Sequence, residues 1–239
     1  CVVYLCFFFF KQKTAYELSA CLEFRRVLCR SITAGFLQAQ QVMFPNGKGG
    51  DPVVREETLA LLGSSILSAC DAEDGVIDGV MTDPRRCSFS TSDLMMCADD
   101  VAADGCVTWQ ELAAIEAVYN GPTVDGESIF FGFNYGGEND RGGWDSWVVS
   151  SERQRARGNP NAQYGFGTEF YKYFGFQEPE WDYTTYDFST WREDVARISP
   201  VVDAIATDLS LFHDSGGKII YWTGWSDLAL TPLGTIDYF

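Results

Sequence analysis

The densest run of chemically capable residues is Cys70-Asp71-Ala72-Glu73-Asp74-Gly75-Val76-Ile77-Asp78-Gly79-Val80. Calcium takes six to eight oxygens from carboxylates and carbonyls held in a flexible loop. Asp71, Asp74 and Asp78 can supply three carboxylates here. Gly75 and Gly79 let the backbone turn so that the carbonyls of Val76 and Val80 point inward. A cluster of acids is more often a solvated turn. The Asp-Gly-x-x-Asp-Gly repeat beside a cysteine shifts the expectation toward a calcium site.

Two further segments carry partial signals. Asp100 to Glu111 has Asp at the first and fifth places, Gly at the sixth, Val at the eighth and Glu at the twelfth, as an EF-hand loop would. Its third place is Ala102, which has no ligating side chain, so Thr108 and Glu111 are expected to form a helix capping box instead. Lys218 to Thr223 reads as a β-strand running into a turn at Gly224-Trp225-Ser226-Asp227. An Asp after a strand is how an α/β-hydrolase presents its triad acid, although an Asp closing a loop through its own backbone looks the same in sequence. No Gly-x-Ser-x-Gly occurs, and the single histidine, His213, reads as a surface or helix-end residue. This chain alone is not expected to assemble a Ser-His-Asp triad.

The elements that must position these residues begin after an anomalous start. Cys1 to Phe10 is an apolar run too short to span a bilayer, and it lacks the basic flank of a signal peptide. The stretches that follow, Lys11 to Glu17 and Leu22 to Leu28, resemble translated sequencing adapter, so residues 1–31 are expected to lie outside the fold. They carry five Lys or Arg and two Glu; without them the formal charge of −17 becomes −20. That acidity excludes a phosphate-tracking nucleic-acid surface, and no stretch reads as a membrane span. Four cysteines remain, Cys70, Cys87, Cys97 and Cys106, with no histidine near them to suggest zinc. Of three possible pairings, Cys70–Cys87 with Cys97–Cys106 closes the shortest loops. Disulfides would place the protein outside the cytoplasm, secreted or periplasmic.

Helical spacing is expected over Ile32 to Phe44, over Glu56 to Cys70, and after Thr108 with Leu112, Ile115 and Val118 inward. Asp71 to Asp104 has little periodicity and reads as ligand-binding loop; Gly126 to Gly137 reads as hairpin or loop. Further helices are expected over Trp144 to Arg157, Thr168 to Phe176, Asp194 to Ile205 and Leu209 to His213, with Trp181 to Trp191 irregular. Trp144, Trp147 and Trp181 are candidates for an aromatic pocket.

Taken together these segments resemble the tannase and feruloyl esterase family. The resemblance rests on Cys70 to Val80, Asp83-Pro84-Arg85-Arg86-Cys87, Cys97, Cys106 to Gln110, Tyr119-Asn120-Gly121-Pro122, Gly216 to Tyr221, Trp225-Ser226-Asp227 and Thr235 to Tyr238. It implies an α/β fold, here a fragment of an α/β-hydrolase: mostly its inserted mixed lid domain over 32–214, with a piece of core at 215–239. It also implies calcium held by the side chains of Asp71, Asp74 and Asp78 and the carbonyls of Val76 and Val80. The Cys70–Cys87 and Cys97–Cys106 disulfides, and Asp227 as triad acid, follow from it in the same way. The expected activity is hydrolysis of small aromatic esters, galloyl or feruloyl in type, by a secreted serine esterase whose Ser and His lie outside this chain. Thr223 stands where relatives usually have His. The rival expectation is a non-catalytic, calcium-stabilised extracellular binding module.

Overall fold

A computed structural model describes residues 29–156, 158, 160–203, 208–218, 220 and 222–239. The adapter-like stretch expected to lie outside the fold is, up to residue 28, outside the described residues. Helix α1 (Cys29–Met43) begins ahead of Ile32, and Ser31 is buried within the fold.

Helix α1 is buried around most of its circumference, polar Ser31, Thr33 and Gln40 included, which makes it central rather than peripheral. Ala39 and Met43 face a first cluster shared with helix α2 (Glu56–Cys70) and helix α3 (Trp109–Asn120). Ala34 and Leu37 face a second, aromatic cluster containing Tyr164, Phe170, Tyr171 and Trp191. Ile32 and Phe36 meet Phe130 in a third. Its glutamines are the polar pins: Gln41 Nε2 donates to the Tyr183 and Tyr186 carbonyls, and Gln38 exchanges hydrogen bonds with the backbone of Thr123.

Helix α2 matches its expected span, with Leu59, Leu62 and Ile66 buried and Glu56 and Glu57 in the first turn, where carboxylates suit the helix dipole. It delivers Cys70 to Asp71–Asp104, a chain of short 3₁₀ turns without a regular helix or strand. Both disulfides form there, Cys70–Cys87 and Cys97–Cys106, joining cysteines 17 and 9 positions apart. Each restricts the unfolded chain by about 3 kcal/mol. After α3, Thr123–Val124 (β1) and Glu127–Ser128 (β2) pair antiparallel across a turn at Asp125 and Gly126, both with positive φ.

The second half departs from expectation in identifiable places. The helix expected from Trp144 to Arg157 is broken. A π-helical turn (Asp145–Val149) stops at Ser150, whose φ of 109° is not helical, and helix α4 (Glu152–Arg155) restarts under Gln154 Oε1, which accepts from Ser151. Helix α5 (Ala162–Phe170) starts before the expected Thr168, because Asn161 Oδ1 caps the Tyr164 N–H at 2.7 Å; a π-helical turn continues it to Phe176. The helix expected over Asp194 to Ile205 is two pieces, α6 (Trp191–Val195) and α7 (Ser199–Val202), separated where Pro200 cannot donate to a continuing ladder. Residues 204–207 lie outside the described set. Helices α8 (Ser210–Asp214) and α9 (Pro232–Tyr238) complete the chain.

The strand expected at Lys218 to Thr223 is not formed among its described residues, and Ile219 and Tyr221 lie outside them. A strand requires neighbours to take its N–H and C=O groups. Here Ile220 is 86% and Trp222 71% exposed. The described architecture is thus mainly helical, and β1–β2 is the one sheet among the described residues.

Candidate functional site

In the acidic loop, each carboxylate is turned to backbone amides. Asp71 is buried, and its Oδ1 accepts from Gly79 N at 2.9 Å and Asp78 N at 3.3 Å. Asp74 Oδ1 accepts from Val76 N at 3.0 Å, and its Oδ2 from the Thr82 hydroxyl at 2.7 Å. Asp78 Oδ1 accepts from Val80 N at 3.1 Å. Asp74-Gly75-Val76 and Asp78-Gly79-Val80 are therefore two copies of one turn, each with its glycine at positive φ, 94° and 80°. The Thr82 hydroxyl, then the Val76 and Thr82 amides, hold the Asp74 carboxyl below its ordinary range. Among the described residues no three metal-ligating side chains are gathered around one point. The donors are nonetheless all hard oxygens on one short loop. Of these donors only Asp74 lines a surface cavity of about 300 Å³, together with Glu73, Met81, Thr82, Asp83 and Arg86. In donor chemistry the set fits calcium.

The EF-hand spacing is resolved in favour of the capping box. Thr108 Oγ1 accepts from Glu111 N, and Glu111 Oε2 accepts from Thr108 N at 2.9 Å. Glu111 Oε1 takes Arg55 Nε at 2.8 Å and Thr58 Oγ1 at 2.6 Å, so the carboxylate is fully engaged in joining α2 to α3. Arg55 also donates to the carbonyls of Ala103 and Cys106, which ties the second disulfide loop to the same point. Burial would push the Glu111 carboxyl up; the hydrogen bonds from Arg55, Thr108 and Thr58 outweigh it and hold it at about 2. Arg55 was not singled out by sequence, and its position just ahead of α2 was the only local signal.

Asp227 closes a tight turn. Its N–H donates to the Gly224 carbonyl at 3.3 Å, and its Oδ1 accepts from Ala229 N at 2.9 Å and Leu230 N at 3.1 Å. Among the described residues Oδ2 accepts no hydrogen bond. The next residue, Leu228, is buried in the first cluster, and the Thr231 hydroxyl donates to the Gly132 carbonyl at 2.6 Å. The turn is thus anchored from behind by Leu228 and Thr231. Among the described residues no histidine hydrogen-bonds to it. His213 is on α8, 82% exposed, 3.4 Å from its neighbour Asp214, as expected of a surface residue.

Trp144 is core: 1% exposed, tilted against Tyr119 at 5.2 Å between ring centroids. Trp181 stacks on Tyr171 inside the second cluster, and Trp147 stacks on Phe166. Their aromatic character is spent on packing. A buried carboxylate that sequence reasoning missed is Glu138, whose Oε1 accepts from the Tyr119 hydroxyl at 2.7 Å and Gly136 N at 2.8 Å. Burial pushes its carboxyl up.

The profile of a family described as tannase and feruloyl esterase matches residues 32–239. The chain belongs to that family. It is 31% identical over 193 residues to an uncharacterized esterase of Xanthomonas campestris pv. campestris, covering 76% of this chain and 32% of that protein. Feruloyl esterase C of Talaromyces stipitatus is 25% identical, with 72% and 30% covered. The mono(2-hydroxyethyl) terephthalate hydrolase of Piscinibacter sakaiensis is 26% identical, with 76% and 35% covered. Among solved structures, feruloyl esterase B from Aspergillus oryzae superposes with a TM-score of 0.67 at 21% identity, over 87% of this chain and 39% of that one. The fold of the matched part is therefore shared with these esterases. The chain spans about a third of the length of the curated relatives it matches.

Proposed function

We propose that the chain is part of a secreted or periplasmic serine carboxylesterase acting on small aromatic esters of galloyl or feruloyl type. In this reading residues 32–214 form a calcium-stabilised lid, and 215–239 contribute the core segment that carries the triad acid. The observation that supports it most directly is the Asp227 turn. Two amides hold one carboxylate oxygen and leave the other open, which is the arrangement an acid needs to receive an imidazole N–H. Asp227 would fix the tautomer of that imidazole and stabilise the imidazolium formed as it takes the serine proton. The serine and histidine would come from segments that the relatives have and this chain does not span.

Asp71, Asp74, Asp78 and the carbonyls of Val76 and Val80 would hold the calcium. The ion would supply charge compensation for three neighbouring acids and so keep the loop in shape. A ligand bound only by the folded state at a hundredfold excess over its Kd stabilises by about 2.7 kcal/mol, or roughly 5–10 °C in a chain of this size. Calcium is expected to raise the melting temperature by that amount over EGTA, and Asp74→Ala is expected to abolish the difference. Equal melting temperatures in calcium and EGTA would make the loop an acidic turn without a metal.

The activity is tested by extending the reading frame on both sides. The expected result is Gly-x-Ser-x-Gly upstream and His-Cys downstream, with methyl ferulate or methyl gallate hydrolysed by the longer protein and not by these 239 residues. Hydrolysis by this chain alone, abolished by Asp227→Asn, would overturn the assignment of the serine and histidine to missing segments.

A further inference from the structure

The acidic loop and the Asp227 turn are far apart in sequence, yet the disulfide-closed segment that contains the first touches the second. Asp83 starts a 3₁₀ turn with Pro84 at its first position, and Arg85 follows. The Arg85 guanidinium binds the Asp83 carboxylate in a fork, Nε to Oδ1 at 2.8 Å and one terminal nitrogen to Oδ2 at 2.7 Å. A fork of this kind fixes the plane of the guanidinium, which a lysine could not do. Arg85 Cζ then lies 5.0 Å from the centre of the Trp225 ring, within cation–π range. Trp225 is two residues before Asp227, inside the turn closed by the Asp227 N–H to Gly224 hydrogen bond.

A second contact joins the same two regions independently. Met81 Cε packs so closely on Gly136 that a Cβ there would lie 2.7 Å from it, and a Cβ on Gly137 would lie 2.8 Å from Ser226 Cβ. The glycine pair, both residues at positive φ, lies between Met81 and Ser226, with the tighter approach at Gly137. It is fixed in turn by Glu138, which takes the Gly136 N–H and reaches Tyr119 on α3.

We propose that Arg85 is a positioning residue: oriented by Asp83, it lies over the Trp225 ring and keeps the Trp225-Ser226-Asp227 turn in the conformation that presents Asp227. The segment that closes the acidic loop thereby becomes the support of the acid-bearing turn. This rests on the reading of Asp227 as triad acid, but the contact itself is tested without any activity.

The readout is amide exchange by NMR at Ala229 and Leu230, whose N–H groups are protected only while the Asp227 carboxylate receives them. In Arg85→Ala their exchange is expected to rise about two- to fivefold, the change that loss of an exposed cation–π contact corresponds to. Interior amides of α3, such as Ile115 and Val118, are expected to keep their wild-type rates. Arg85→Lys, which keeps the charge and loses the fork, is expected to behave like Arg85→Ala at these two amides. In a Trp225→Ala background, Arg85→Ala is expected to add nothing further. The proposal is overturned by wild-type rates at Ala229 and Leu230 in Arg85→Ala, by full rescue with lysine, by an Arg85 effect that persists without Trp225, or by Ala229 and Leu230 already unprotected in the wild type. Should the exchange behave as expected while Asp227→Asn leaves esterase activity intact in the longer protein, the contact stands and the catalytic reading of the turn fails.

Discussion

Glu111→Ala is expected to cost about 3–5 kcal/mol of folding stability, because it removes one partner of a buried ion pair and leaves the other uncompensated. The side chain is 2% exposed and accepts from Arg55, Thr58 and Thr108 at once. Its loss strands the Thr58 hydroxyl, the Thr108 N–H and the Arg55 guanidinium. Arg55 is 27% exposed and recovers some hydration, which argues for the lower end of that range. Glu111→Gln keeps the shape and one acceptor, and is expected to lose about 1–2 kcal/mol as charge-assisted bonds become neutral. The sign of the pH dependence follows from a carboxyl held at about 2 in the fold against 4.5 unfolded. The unfolded state binds the proton first, so the contribution is complete above about pH 4.5 and disappears as pH falls toward 2. Urea unfolding at about pH 7 and about pH 3, disulfides intact, should show the gap between wild type and Glu111→Gln narrowing at the lower pH. A gap that stays constant would mean the carboxylate is not what joins the two helices.

How much of this was legible in the sequence varied with the range of the interaction. Helix α2 was readable because its signals are local: apolar residues at helical spacing and a stop at Cys70. The Thr108–Glu111 capping box was readable for the same reason, four consecutive residues carrying the whole motif. Asn161 is also a local cap, but the glycines of the Ala162–Phe170 segment mask it by lowering helix propensity. The break at Ser150 rests on backbone geometry that no residue type dictated. The strand before Asp227 failed for a different reason. Its residues favour β structure, but a ladder is made with partners, and propensity says nothing about whether they are there. Among the candidate site residues, the acidic loop was singled out by type and spacing, and Asp227 by its place after a β-prone run together with the family resemblance. Arg55, Arg85 and Glu138 were missed because each acts on a residue that other parts of the chain bring to it.

If Asp227 is the triad acid proposed above, Asp227→Asn, placed in a longer protein that supplies the proposed serine and histidine, is expected to lower kcat by about 10⁴-fold, the effect of giving a catalytic imidazole the wrong tautomer. The substitution is informative because the turn tolerates it. An amide oxygen at the Oδ1 position still accepts from Ala229 and Leu230, and Leu228 still anchors the turn in the core. What changes is the second position, where an acceptor becomes an N–H₂ donor facing the imidazole. The ring must then turn its own acceptor toward the introduced amide and its N–H toward the serine, which can no longer give up its proton. Melting temperature is expected to stay within a few degrees of wild type while KM changes little, since Asp227 is assigned no contact with substrate. A variant that folds like the wild type and turns over at the wild-type rate would remove Asp227 from the catalytic machinery. The turn around it would then be a structural closure alone, with the acid to be sought elsewhere.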